Sequence, residues 1–154
     1  MPLVRFYLYS QGVDIWTAPT FDGGDDWIAA MRHIAVEGRC YVVGVNPCVH
    51  IDQIPADFPH RERVWPIRGE EDPWVDPGNS VIIDPLGAVL AGPARREETI
   101  LYADVDPATV RSARRYSDPI GHYHRPDILQ LHVDTRPRPP VIVQATPLFD
   151  VDSE

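Results

Sequence analysis

The sequence predicts an α/β fold, and three observations carry the prediction. By their punctuation, the first 47 residues alternate helix, strand, helix, strand. Residues 40–45 (CYVVGV) have the composition of a strand buried on both faces. Further short apolar runs follow, each set off by turn residues. Such alternation implies parallel strand pairing, with helices covering a sheet.

Residues 2–11 are apolar and aromatic, with Pro2 at the front and Gly12 just past the end, the pattern of a short helix. Residues 13–19 (VDIWTAP) follow as a short, largely buried strand, closed by Pro19 and by Asp22, Gly23 and Gly24. Asp25 or Asp26 caps the next helix, in which Trp27, Ile28, Met31, Ile34 and Ala35 form one apolar stripe and Gly38 is the stop. The strand over residues 40–45 is broken by Asn46-Pro47.

Residues 49–78 lose periodicity and hold Pro55, Pro59, Pro66, Pro73 and Pro77, so they are expected to form a long surface excursion. Three strands are expected next, over 80–84, 88–91 and 99–105, the first two joined as a hairpin at Pro85-Leu86-Gly87. Asp106 before Pro107 starts a helix running through Arg115. Residues 128–133 (ILQLHV) alternate and are expected to make a last strand. Residues 137–154 read as an extended tail, proline-rich and then acidic.

Composition narrows the function classes. A length of 154 residues fits one domain, and 44% hydrophobic with 24% charged residues is ordinary for a globular chain. The formal charge of −9 argues against nucleic acid, which needs clustered cations. No apolar run approaches the ~18 residues of a membrane helix. Two cysteines make no disulfide framework, and MPLVRFYLYSQG lacks the layout of a signal peptide, so the expected compartment is the reducing cytoplasm. All 14 basic residues are arginine; with no lysine, a mechanism that needs a side-chain amine cannot draw one from this chain.

Residue chemistry supplies candidates without a complete catalytic set. Cys48 stands after a strand, where thiolate nucleophiles occur, with Asn46 and His50 nearby. Neighbours two apart in an extended segment seldom form a nucleophile–base pair, so a loop thiol is the better reading, and Cys40 inside its strand is a weaker candidate still. His122, His124 and His132 with Asp118 and Asp127 could suggest a metal site, yet their spacing matches neither helical nor knuckle zinc patterns. Hydrogen bonds pinning a chain crossing are the better reading there. Asp104 and Asp106 suit a helix cap more than a carboxylate pair. Arg111, Arg114 and Arg115 read as a solvated or salt-bridged helix face.

Several stretches together resemble the C-terminal half of a nitrilase, of the carbon–nitrogen hydrolase superfamily. They are Met1-Pro2-Leu3, Tyr9-Ser10-Gln11-Gly12-Val13, Ala18-Pro19-Thr20, Met31-Arg32-His33-Ile34-Ala35, Glu37-Gly38 and Asn46 with Cys48. Gly78-Asn79-Ser80-Val81-Ile82-Ile83, Pro85-Leu86-Gly87, Val89-Leu90-Ala91-Gly92-Pro93 and Gly121-His122-Tyr123-His124-Arg125-Pro126-Asp127 complete them. The stretch around His122, Tyr123, Arg125 and Asp127 looks more like nitrilases proper than like amidases or carbamoylases.

The resemblance implies a four-layer α-β-β-α sandwich, of which residues 1–136 would hold about half, with inner sheet faces left bare. It implies conversion of a nitrile to a carboxylic acid and ammonia through a cysteine thioimidate and an acyl-enzyme, with a glutamate base, a lysine, a second glutamate and no metal or organic cofactor. In the family the nucleophile stands in a Cys-Trp-Glu segment just before Met-Pro-Leu, where this chain begins, and the other three lie further upstream. No catalytic residue is therefore expected here, and Met1 is expected to be an internal methionine of a longer enzyme. Cys48 matches a different family cysteine. Thr20 and Asn46 fall at strand ends that border the family's pocket and are candidate pocket residues. A nitrile would be a substrate only for a chain completed by an N-terminal half; self-association, or pairing with an intact nitrilase homologue, is the expected partnership.

Overall fold

The structure, a computed structural model, describes residues 2–64 and 72–141. Helix α1 (Pro2–Tyr9) leads into strand β1 (Ile15–Pro19), helix α2 (Asp25–Gly38) and strand β2 (Tyr41–Val45). Strand β3 (Cys48–His50) follows at once, then two 3-10 turns, the long strand β4 (Trp74–Ile83), strand β5 (Val89–Arg95) and helix α3 (Pro107–Tyr116). The five strands form one sheet in the order β1-β2-β4-β3, with β5 paired to β4. β1 and β2 are parallel, as the alternation predicts, and every other pairing is antiparallel. The fold class is thus the expected α/β.

Register decides which side chains meet. Val42 lies opposite Ile83 and Gly44 opposite Val81, while Trp16 and Ala18 of β1 pair with Val42 and Gly44. These residues face α2, and Met31, Ile34 and Ala35 close over them in the core, with Trp16 and Trp27 packed at its margin. Gly44 lies close under the helix: a Cβ there would stand 3.2 Å from Val81 of β4 and 3.5 Å from Met31 of α2. The alternate residues Ile15, Thr17, Val43, Val45 and Ile82 face the other way. Tyr41 is the exception on that face: its hydroxyl donates to the Asp106 carbonyl at 3.3 Å and accepts from the Asp106 N–H at 3.0 Å, and it is buried.

The helices keep most of their expected punctuation. Asp106 caps α3, its carboxylate accepting from the Ala108 N–H at 2.8 Å with Pro107 in the first turn. At α2 the cap is Gly24, and Asp25 and Asp26 fill the first turn, where their charge suits the helix dipole. Gly38 is the last helical residue; the left-handed stop falls on Arg39, at φ 47°. What requires glycine at 38 is Tyr9 of α1, whose ring would lie within 3 Å of any Cβ there. Around that contact Tyr9 Oη donates to Glu37 Oε2 at 2.9 Å, and Arg5 Nε donates to the same oxygen at 2.9 Å, tying α1 to α2. Burial raises the Glu37 carboxyl, but the bonds from Arg5 and Tyr9 outweigh it and hold the group below its ordinary value.

Several expectations about the strands and loops need correction. The first strand is not largely buried: of β1 only Ala18 is, because β1 is an edge strand with its second face open. Residues 99–105 and 128–133 form no strand; Ile100, Tyr102, Ile128 and Leu129 are exposed, and neither run pairs with the sheet. The expected excursion over 49–78 is shorter, since β3 enters it from one side and Trp74–Gly78 of β4 from the other. Residues 65–71 of it, and 142–154 of the expected tail, lie outside the described residues; 137–141 are exposed and belong to no helix or strand.

Candidate functional site at the strand ends

β2 and β3 behave as one strand interrupted at Asn46-Pro47. Both run antiparallel to β4, and the register of Gly44 with Val81 continues without a slip into that of Cys48 with Pro77. At the interruption the Ser80 hydroxyl stands in for the ladder: it accepts from the Asn46 N–H at 2.9 Å and donates to the Asn46 carbonyl at 3.0 Å. The break releases the Asn46 side chain toward the loop that follows β1. Thr20 keeps that loop in line with β2, its N–H donating to the Val45 carbonyl at 3.0 Å.

Two asparagines then fix the loop. Asn46 Oδ1 accepts from the Asp22 N–H at 3.1 Å, and its Nδ2 donates to the Asp22 carbonyl at 2.6 Å. Asn79 Nδ2 donates to the Gly23 carbonyl at 2.7 Å. Both asparagines are buried, so their amides are committed to backbone and not to solvent. Asn79 sits at φ 76°, a left-handed conformation that asparagine tolerates better than most residues. Asp76, 2% exposed, accepts from the Gly78 N–H at 2.9 Å. A Cβ on Gly23 would lie 2.2 Å from its Oδ1, so this close approach of loop to sheet requires glycine.

Two hollows flank this knot. One, of about 410 Å³, is lined by Thr20, Phe21, Asp22 and Gly23 on one side and Val75, Asp76 and Pro77 on the other. The second, of about 210 Å³, is bordered by Asn46, Cys48, Ser80, Glu97, Glu98 and Thr99. Both open where the parallel strands β1 and β2 end, the position at which α/β sheets present binding residues. Cys48 in the smaller hollow donates weakly to the Pro77 carbonyl at 3.9 Å, and burial and the nearby Asp76 and Glu98 carboxylates raise its thiol. Cys40, buried behind β2, is pushed up to about 11 by burial. Neither environment generates a thiolate.

The structure separates the two pocket candidates by role. Thr20 lines the larger hollow; Asn46 borders the smaller one but spends its side chain on the loop. Asn79, which holds Gly23, and Asp76 and Ser80, which bond to Gly78 and Asn46 beside the loop, are not singled out by the sequence. Asn79 and Ser80 stand within one of the resemblance stretches, whereas Asp76 lay hidden among the prolines of the expected excursion.

His122, Tyr123, Arg125 and Asp127 lie far along the chain in the segment after α3. The expected pinning by hydrogen bonds does not hold there. Arg125 grips Asp127 two residues away at 2.8 and 2.6 Å and so closes its own turn. The crossing to α1 is made by rings, with His124 against Phe6 at 5.4 Å, while His122 packs on Tyr123 at 4.9 Å. Among the described residues no three His, Cys, Asp or Glu side chains gather to hold a metal ion, and no helix is long and apolar enough to cross a membrane.

The model of the carbon-nitrogen hydrolases matches residues 1–115, three quarters of the chain and all of the sheet. The chain belongs to the carbon–nitrogen hydrolase family. Within it, the chain is similar to a nitrilase of Bradyrhizobium diazoefficiens (43% identical over 90% of this chain and 41% of the relative). It is also similar to nitrilase 2 of Arabidopsis thaliana (43% over 92% of this chain and 42% of the relative). An aliphatic nitrilase of Sinorhizobium fredii is 41% identical over 94% of this chain and 46% of its own length. This carbon–nitrogen hydrolase chain therefore spans less than half the length of the relatives it matches. Its fold is similar to part of the NitFhit protein of Caenorhabditis elegans (TM-score 0.60, 21% identity, 91% of this chain and 30% of that one). A carbon–nitrogen hydrolase of Helicobacter pylori gives a TM-score of 0.59 at 20% identity, over 83% of this chain and 44% of that one.

Proposed function

We propose that this chain is the C-terminal portion of a nitrilase, supplying one sheet, its helices and one rim of the pocket to an enzyme that converts a nitrile to a carboxylic acid and ammonia. The observation that carries the reading is the similarity above 40% to nitrilases along nine tenths of this chain, over less than half of theirs. Alone, the chain is inactive. The mechanism implied by the resemblance needs an activated cysteine, a glutamate base and a lysine. This sequence contains no lysine, and burial shifts both of its thiols upward, away from the thiolate. The open second face of the sheet, carrying Ile15 and Val45 at 49% and 50% exposure, is the surface for the completing portion. The two free thiols fit the reducing cytoplasm.

Ammonia release from aliphatic and aromatic nitriles by the purified chain tests the inactivity: none is expected, and turnover abolished by Cys48→Ala would overturn the assignment. A second reading, a non-enzymatic module that pairs with an intact nitrilase homologue or with itself, is favoured by that same open face. Chain that stays soluble and monodisperse, or that co-purifies with a nitrilase, would support it.

A further inference from the structure

An exposed phenylalanine needs no special account, but Phe21 stands on an unusually fixed support. Its ring is 61% exposed, while the backbone on both sides is anchored. Thr20 is bonded to the end of β2, Asp22 is held at both its N–H and its carbonyl by Asn46, and Gly23 is held by Asn79. Burying two amides carries a desolvation cost that hydrogen bonding must offset, and here the bonds they make go to the loop. The bonds fix the backbone that carries the Phe21 ring, which lines the larger hollow with Thr20, Val75 and Pro77. A hollow of about 410 Å³ that pairs apolar walls, Phe21, Val75 and Pro77, with the polar Asp22 and Asp76 has room for a small organic group against the ring.

We infer that Phe21 is a specificity-determining residue, its ring forming the wall against which the organic group of the nitrile lies. Asn46 and Asn79 are positioning residues that set the height of that ring. The inference rests on the nitrilase reading above. An apolar organic group gains by covering the ring, at roughly 25 cal/mol for each Å² removed from water. A group as small as methyl reaches too little of it to benefit. Selectivity for large over small apolar nitriles is therefore the property the ring supplies.

The test co-produces the full 154-residue chain with the N-terminal portion of the Bradyrhizobium diazoefficiens nitrilase and measures ammonia from phenylacetonitrile and acetonitrile. Phe21→Ala is expected to lower the ratio of kcat/KM for phenylacetonitrile over acetonitrile about tenfold, through KM, with Phe21→Leu between it and the parent. Asn46→Ala moves the same ratio in the same direction through KM, and Asn46→Asp, which retains the acceptor for the Asp22 N–H, recovers part of it. A ratio within about twofold of the parent in Phe21→Ala overturns the role of Phe21 and leaves the nitrilase reading standing. No ammonia from either nitrile with the unaltered pair overturns the nitrilase reading and the role of Phe21 together.

Discussion

The two faces of the sheet are built from the same kind of residue and meet opposite fates. On one face Val42, Val81 and Ile83 are wholly buried under Met31, Ile34 and Ala35 of α2. On the other, Ile15 and Val45 are half exposed and Thr17 and Pro19 are exposed, while Tyr41 is sealed by its bonds to Asp106. β-branched side chains alternate onto both faces, so the strands were composed for burial on two sides. The difference teaches that one face of the sheet is closed by α2 while the other is left open, in a chain that spans less than half the length of its nitrilase relatives.

That asymmetry can be broken most sharply from the buried side. Ile83→Ala removes side-chain volume from a site with no exposure and is expected to cost about 2–5 kcal/mol in denaturant unfolding of the chain. Ile15→Ala on the open face should cost well under that, about 1 kcal/mol or less. Equal losses at the two positions would show that something already covers the second face, such as another copy of the chain.

Next in size is the knot that joins loop to sheet. Gly23→Ala would force a Cβ against Asp76 and Pro77, both part of the sheet, so the loop or β4 must shift, at about 1–3 kcal/mol by thermal or denaturant unfolding. Removing the α3 cap with Asp106→Ala should cost about 1 kcal/mol.

The smallest effect lies at the α1–α2 clamp and depends on pH. The Glu37 carboxyl titrates below its ordinary value of 4.5 in the folded chain, so the unfolded state takes up its proton first as pH falls. The clamp's contribution is then fully present above that value and is lost as pH falls through the lower folded value. Glu37→Gln should flatten this acid-side decline in a pH series of unfolding midpoints, and an unchanged slope would show that the clamp contributes nothing measurable.

Much of this arrangement was legible where local chemistry and burial agree. The stripe from Trp27 to Ala35 declares a helix whose buried face the structure retains, and Asp106-Pro107 declares the start of α3. The parallel pairing of β1 with β2 was legible for the same reason: alternation of elements constrains topology. The failures share one cause. Residues 99–105 and 128–133 are strand-like in composition, but a strand needs a partner edge, and β propensity reports fitness for a half-buried surface more than an intrinsic preference. Conversely, Pro73 and Pro77 mark a break, yet Pro77 is paired with Cys48 in the ladder and its carbonyl accepts from the Arg96 N–H at 2.7 Å. Of the two pocket candidates, Thr20 directly follows β1 and Asn46 directly follows β2. That Asn46 would turn its amide inward to Asp22, leaving Phe21 outward, depends on a crossing with β4 that lies 34 residues away at Ser80.

The interruption at Asn46-Pro47 has a consequence for what this region can survive by mutation. Because β3 continues the register of β2 along β4, the two bridging residues act as a fixed-length spacer between two sets of cross-strand partners. Deleting one of them would turn β3 over, exchanging the faces presented by Cys48 and Val49, and would leave the Ser80 hydroxyl opposite the wrong peptide. Substitutions on either side of the spacer can be absorbed singly, but a change of chain length there cannot. Loop-length variation should accordingly concentrate between β3 and β4 and be absent from the Asn46-Pro47 bridge.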